Sequence, residues 1–419
     1  MSLIRTEIAG IPVVDLAERH GTPLYVYDVA SIDRRLEQLR SFDHVRYAQK
    51  AWSHTALLDR LRRRGVLVDA VSAGEILRAL RAGYEPFGDP PPIIYTADLF
   101  DRPALELVAQ HGIACNCGSP DMIEQIGQLM PGCSITLRIN PGFGHGHSRK
   151  TNTGGPQSKH GIWHECLPEA VERAGRYGLD VSGLHMHIGS GTDMEHLSRV
   201  CDAMYRAAQT VGDSVRSIST GGGLPVPYRA GDPEIDVDRY YDLWAAVQRR
   251  LSREFGHPVS LETEPGRFLV ADAGFLVTEI RAVKTMGSNR FYLVDTGFHH
   301  LARPILYGAY HPITAAPRNA ERAAGMESVI VGGPLCESGD IFTQEEGGFV
   351  SHRPLPRLEV GDYLVIEKAG AYGSVMASNY NSHALPAEVW IESGRDTLIR
   401  PRQSLEALFA DEIIPPQTG

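Results

Sequence analysis

HVRYAQKAWSHTALLDRLRRRGVLVDAVSAGEILRALRAG, residues 44–83, holds two copies of one local pattern. A short apolar strand reads at His44–Gln49. A helical pattern follows over Ala51–Arg64, where Leu57, Leu58 and Leu61 fall on one face. The next strand reads at Leu67–Val71. Ser72 and Glu75 then form a Ser-x-x-Glu capping box, which starts a helix directly after that strand. Gly83 sits where this second helix should stop.

The same alternation continues outward. Further strands read at Ile93–Thr96, Ile113–Cys117, Ser134–Asn140, Val181–Ile188, Val215–Ser219 and Val259–Glu264. Most are nearly continuous in apolar residues, as parallel strands buried on both faces should be. Ser119-Pro120 repeats the helix-start signal, a cap followed by Pro at the first helical position. Eight strand–helix repeats point to an α/β fold, a TIM-type (β/α)8 barrel over residues 30–274. A doubly wound sheet gives the same count, and counting alone does not separate the two.

After about Gly274 the texture changes. Phe275–Val283, Arg290–Asp295, Ser328–Gly332, Asp362–Glu367 and Ala387–Glu392 read as strands without helices between them. A second, mainly β domain is expected over 275–419. The opening segment, 1–29, carries short strand-like pieces and is assigned to it.

Composition narrows the function classes. Of 419 residues, 42% are hydrophobic and 22% charged, as in an ordinary globular protein. Lys plus Arg is 41 and Asp plus Glu is 51, a formal net charge of −10. That balance argues against a nucleic-acid surface, which needs a basic stripe. The six cysteines have no metal-finger spacing. No run approaches a membrane span and the N-terminus reads as no signal peptide. The expected setting is therefore a reducing cytoplasm. Residues 141–161, PGFGHGHSRKTNTGGPQSKHG, form a long polar, Gly-rich connection. It reads as a solvated loop or as a lid near a site. Its histidines, His145, His147 and His160, come without an acidic or Cys ligand, so no metal site is assigned.

In such a barrel, chemistry gathers at the C-terminal ends of the strands. Lys50 follows the first strand. It can snorkel as a surface charge, or form a Schiff base with a carbonyl cofactor. His185 and His187 share one side of the sixth strand, either as hydrogen-bonded core histidines or with a ring that stacks on a planar cofactor, Ser190 reaching a phosphate. Gly221, Gly222 and Gly223 end the seventh strand, where backbone N–H groups can approach a phosphate. Glu264-Pro265-Gly266-Arg267 ends the eighth. It is either a structural ion pair, or a carboxylate for a pyridine nitrogen beside an Arg for an anion. In the second domain, Gly333–Asp340 (GPLCESGD) and Gly370–Gly373 (GAYG) are dense in turn formers and reactive groups.

Taken together, TPLYVYD, RYAQKA, VDAVSAGEI, NPGFGHGHSRKTNTGG, SKHGI, HMHIGSG, GGGLPVPY, EPGRFLV, RPILYGAYHPI, GPLCESGD and GAYGSVMASNYNS resemble the fold-type III pyridoxal-phosphate decarboxylases, most closely the diaminopimelate decarboxylases. The match runs from about Pro23 to Glu406. The resemblance implies an alanine racemase-like architecture, an αβ barrel plus a β-sandwich or β-barrel domain holding both chain ends. It implies pyridoxal 5'-phosphate on Lys50, with His187 stacked on the ring. Ser190, Gly222, Gly223, Glu264, Pro265, Gly266, Arg267 and Tyr372 would complete the cofactor site. It implies a homodimer in which Cys336 and Glu337 act across the interface, with Cys336 or Lys50 as the protonating acid. Arg267, Arg303 and Tyr307 would hold the substrate's distal carboxylate and Glu337 its distal ammonium, with Tyr372 contacting cofactor and substrate. The implied reaction is decarboxylation of meso-2,6-diaminopimelate at its D-centre, giving L-lysine.

Four positions depart from the family pattern. His299-His300 stand where a small or amide residue, and often an acid, is usual. His383 follows SNYNS where Arg is common, and Trp52 replaces a smaller residue beside the lysine. These changes keep open a same-fold decarboxylase acting on another amino acid. A racemase of this fold is disfavoured by Glu264, because racemases usually place Arg against the pyridine nitrogen.

Overall fold

Eight parallel strands close on themselves. They are β1 (His44–Ala48), β2 (Leu67–Ala70), β3 (Ile93–Ala97), β4 (Ala114–Cys117), β5 (Ser134–Asn140), β6 (Asp180–His185), β7 (Ser217–Ser219) and β8 (Ser260–Thr263). Each pairs with the next, and β8 pairs in parallel with β1 through Glu262↔His44 and Thr263↔Val45. This closure settles the choice left open by the strand count in favour of the barrel. The computed structural model describes residues 3–144, 153–187, 193–319, 325–345 and 347–416.

The helices between these strands are α1 (Thr55–Arg63), α2 (Ala73–Arg81), α3 (Arg102–His111), α4 (Pro120–Leu129), α5 (Leu167–Arg176), α6 (Met194–Val211) and α7 (Val237–Phe255). Side-chain caps set most of their starts. Ser72 accepts from Glu75 N and Glu75 Oε2 accepts from Val71 N, the reciprocal box expected from the sequence. Asp101, Ser119, Asp193 and Asp236 cap α3, α4, α6 and α7. The first helix starts later than periodicity suggests. Gln49–Ala51 is a 3-10 turn, and α1 begins only after His54, whose ring accepts from Ala56 N. The delay leaves Lys50 on a tight turn at the strand end rather than inside a helix.

The chain divides into two compact units, 34–226 with 233–269, which is the barrel, and 1–33 with 227–232 and 270–419. The second unit is mainly β. Its long strand, Gly274–Met286, is the hub: it pairs with Leu24–Asp28, Tyr363–Ile366 and Asn289–Val294. The first half of that strand is buried and its far end is exposed. Val26, Val277, Val365, Val389 and Ile391 build the core with Leu16 of the helix Val13–His20. Each such aliphatic side chain contributes about 1.5–3 kcal/mol by leaving water. Sequence reading missed this helix and the strands Ile313–Ala316, Arg353–Pro356 and Arg395–Arg400, and it expected no helix near Arg303–Tyr307. Short half-exposed strands carry little periodicity, and partners distant in sequence decide them.

Gly274 and Gly370 lie back to back. A Cβ on Gly274 would sit 2.1 Å from Gly370 Cα, and one on Gly370 would sit 1.9 Å from Val270 O. This contact anchors the turn that carries Tyr372, which itself takes a left-handed φ of 57°.

Candidate active site

Inside the barrel, polar side chains replace apolar ones near the C-terminal strand ends. Asp69, Thr96, Asn116, Arg138, His185, Ser219 and Glu264 are all buried. Thr96 pairs directly with Asn116, and His185 with both Arg138 and Ser219, so these groups are lateral neighbours in the ladder. Burying so many polar groups is costly unless they serve one another or a ligand.

Glu264 is the best-held of them. Ser219 Oγ donates to Oε1 at 2.8 Å, and His185 Nε2 lies 2.8 Å from Oε2. Gly221 N in turn donates to Ser219 Oγ at 3.1 Å, so the glycine turn and the carboxylate belong to one hydrogen-bonded chain. Burial alone would raise the Glu264 carboxyl. The charge and hydrogen bond of His185, with the Ser219 hydroxyl, outweigh it and hold Glu264 below the usual carboxylate range. Asp69 moves the other way, raised by burial and by the Glu264 charge, with Lys50 opposing. A carboxylate oxygen has two lone pairs. Glu264 therefore remains ionised with acceptor capacity to spare.

Lys50 is exposed on its turn, while Ala51 and Trp52 beside it are buried. The turn is tied to the end of β8: Ala48 N donates to Pro265 O at 3.2 Å, and a Cβ on Gly266 would meet Ala48 O and Ala51 Cβ at 3.2 Å. Gly266 thus lets the lysine turn and the Glu264–Arg267 turn approach. Arg267 opens the one-turn helix Arg267–Val270 and is partly buried.

Gly221 and Gly223 have φ of 63° and 97°. A Cβ on Gly221 would sit 2.6 Å from His187 Cβ, and one on Gly222 would sit 2.7 Å from Glu264 O. Only glycine permits this cradle. The His187 ring stays neutral, because burial first, then the Lys50 charge, hold its pKa well below the ordinary value. Its Nδ1 is buried with no hydrogen-bond partner. Ser190, His145 and His147 lie outside the described residues. His160 pairs with Asp98, which also accepts from Gly161 N at 2.8 Å, and no group of three or more potential ligands able to hold a metal occurs among the described residues.

This donor set fits a phosphorylated pyridine aldehyde. Lys50 would supply an amine for the aldehyde, Glu264 a carboxylate for the ring nitrogen, His187 a flat neutral ring, and Gly222 and Gly223 backbone N–H groups for the phosphate.

In the β unit, Arg303 is buried at the start of the helix Arg303–Tyr307, and Tyr307 is half-buried. Its guanidinium lies 4.6 Å from the centre of the Tyr228 ring. Cys336 and Glu337 are exposed on a turn shaped by Asp340, whose carboxylate accepts from Phe298 N at 2.8 Å and Leu335 N at 2.9 Å. A Cβ on Gly297 or Gly333 would collide with that carboxylate. Tyr372 is half-buried on its strained turn.

The unusual histidines come together. The rings of His299 and His300 are 3.6 Å apart, and those of His299 and His383 are 4.7 Å apart. His300 is satisfied by Thr296 Oγ1 at 3.0 Å and Ala384 O at 3.1 Å, whereas neither ring nitrogen of buried His299 has a hydrogen-bond partner. Three separate departures are thus one packed cluster. The fourth, Trp52, is buried against His54 and is a packing residue.

The cluster predicts acid sensitivity. Burial, then His383, lowers His299 to about 4, and burial, then His299, lowers His300 to about 2, from an ordinary 6.5. The unfolded chain binds these protons first, so stability is full above about pH 6.5 and falls as pH drops toward 4. His299 alone costs on the order of 3 kcal/mol across that window. Urea unfolding at pH 7 and pH 5 should show the loss, and His299→Phe should remove about half of it, the His300 share remaining. A pH-independent midpoint in the unsubstituted protein counts against the assignment.

Sequence reading named Lys50, His187, Glu264 and the glycines but passed over Asp69, Arg138 and Ser219. The available signal was a charged or polar residue inside an otherwise apolar strand, visible in VDA, LRIN and SIST.

Comparison with known proteins agrees with this geometry. The family described as "Pyridoxal-dependent decarboxylase, pyridoxal binding domain" matches residues 29–271. A diaminopimelate decarboxylase of Streptomyces coelicolor is 54% identical over 400 residues, covering 95% of this chain and 91% of its own. A crystal structure of diaminopimelate decarboxylase superposes with a TM-score of 0.93 at 50% identity over 98% of both chains. The Helicobacter pylori diaminopimelate decarboxylase complexed with L-lysine superposes with a TM-score of 0.85 at 30% identity, covering 95% of this chain and 98% of that one.

Proposed function

The chain belongs to the diaminopimelate decarboxylases, and from that premise we propose that it removes carbon dioxide from the D-centre of meso-2,6-diaminopimelate and releases L-lysine, using pyridoxal 5'-phosphate. The observation that carries the reading is the buried Glu264 carboxylate, held ionised by His185 and Ser219 on the barrel that also presents Lys50. When bound, the cofactor supplies the electron sink that lets the carbon–carbon bond break.

The chain's own residues do the rest. Lys50 would hold the cofactor through its side-chain amine. Glu264 keeps the ring nitrogen protonated. His187 covers the ring with a neutral face. Ser190, Gly222, Gly223 and the Pro265–Arg267 turn would hold the phosphate side, and Tyr372 would contact cofactor and substrate. Arg303 and Tyr307, with Arg267, take the distal carboxylate, to which a guanidinium offers a planar fork. Glu337 takes the distal ammonium. When carbon dioxide leaves, its bonding electron pair stays on the D-centre carbon, and Cys336 or Lys50 delivers a proton there. The exposed Cys336–Glu337 turn suits a homodimer in which it reaches the partner's site. No helix among the described residues is long and apolar enough to cross a membrane, which accords with a cytoplasmic enzyme.

The test is carbon dioxide release from meso-diaminopimelate, lysine, ornithine and arginine by the purified holoenzyme. Gas from meso-diaminopimelate alone, matched by equimolar lysine, is expected. Faster release from another amino acid, or racemisation without gas, overturns the reading.

A further inference from the structure

We propose that His311 is a positioning residue that sets the specificity of the distal carboxylate subsite by orienting Arg303. This rests on the reading of Arg303 given above. His311 is buried. Its Nδ1 lies 2.9 Å from Glu367 O, and a carbonyl only accepts, so Nδ1 carries the proton. Its Nε2 is then a bare lone pair, and Arg303 Nη1 donates to it at 2.7 Å. Both neighbours force the same neutral tautomer.

The support for that ring is itself fixed. Glu367 N donates to Pro312 O at 2.9 Å, and the Glu367 carboxylate accepts from Arg5 Nε and Thr314 Oγ1, each at 2.9 Å. Tyr228 meets His311 edge-on, with ring centres 5.3 Å apart, and lies under the Arg303 guanidinium. His311 thus gives Arg303 a neutral acceptor and Tyr228 gives it an aromatic face. A carboxylate at position 311 would hold the guanidinium equally well but would cancel its charge. A neutral imidazole fixes its direction without cancelling that charge.

The test compares two inhibitors of the holoenzyme that share a five-carbon diamine chain. L-Lysine carries the carboxylate and 1,5-diaminopentane lacks it. In His311→Phe, which keeps a ring against Tyr228 but has no acceptor, the Ki of lysine and the KM for meso-diaminopimelate should rise about tenfold or more. The Ki of 1,5-diaminopentane, kcat and the cofactor absorbance should change less than about threefold. His311→Gln, whose amide can both accept and donate, should recover most of the lysine affinity. If the Phe variant does not fold, His311→Asn carries the same test, because its shorter side chain withdraws the acceptor. Equal weakening of both inhibitors, or of neither, overturns the inference. If the unsubstituted enzyme binds both equally, the fault lies earlier, in the assignment of Arg303, and the role of His311 falls with it.

Discussion

Lys50→Ala protein should fold, yet turn over meso-diaminopimelate at least about 10⁴-fold more slowly than the unsubstituted enzyme. The size follows from what the side chain does. On the proposed reading its amine, the one such group on the turn Gln49–Ala51, would be what holds the cofactor aldehyde. Folding should survive because the side chain is exposed while its neighbours Gln49, Ala51 and Trp52 carry the packing. Purified enzyme should be coloured, and borohydride treatment followed by peptide mapping should find the label on Lys50. Label on any other lysine, or Lys50→Ala activity above about one per cent, removes the chemical basis assigned to the barrel.

Glu264→Gln should lower kcat by about 10²–10⁴ with a smaller effect on KM. A neutral amide occupies the same space and still accepts from Ser219, so the barrel should remain intact. It cannot stabilise a protonated ring nitrogen as a carboxylate does, and the electron sink weakens. His185 and Ser219 supply a graded control: Ser219→Ala removes one of the two hydrogen bonds that hold the carboxylate and should cost about tenfold. Full activity in Glu264→Gln would mean that the buried carboxylate serves the barrel rather than the cofactor. An unfolded protein would be distinguished by its circular dichroism.

Most of the barrel was legible along the chain, because its signals are local. Each strand is a short apolar run, and Ser72, Ser119 and Gly83 stand at helix ends where capping chemistry places them. Lys50, Glu264 and the triple glycine were legible for the same reason: their positions at strand ends follow from counting strands. Ser219 and Arg138 were not. A polar residue inside an apolar strand is their one local mark and names no role, because their roles depend on lateral neighbours such as His185, which the ladder supplies.

The sequence by itself therefore determined the repeat, the family resemblance and the candidates for the reactive groups, since these depend on residue type and spacing. The tertiary structure alone decided closure, through β8 meeting β1, and the ionised state of Glu264, through the His185 charge and the His185 and Ser219 hydrogen bonds that outweigh burial. It also decided that three unusual histidines form one cluster and that His311 reaches Arg303. The physical reason is that closure, burial and hydrogen-bond direction arise between residues far apart in the chain, where no local pattern can specify them.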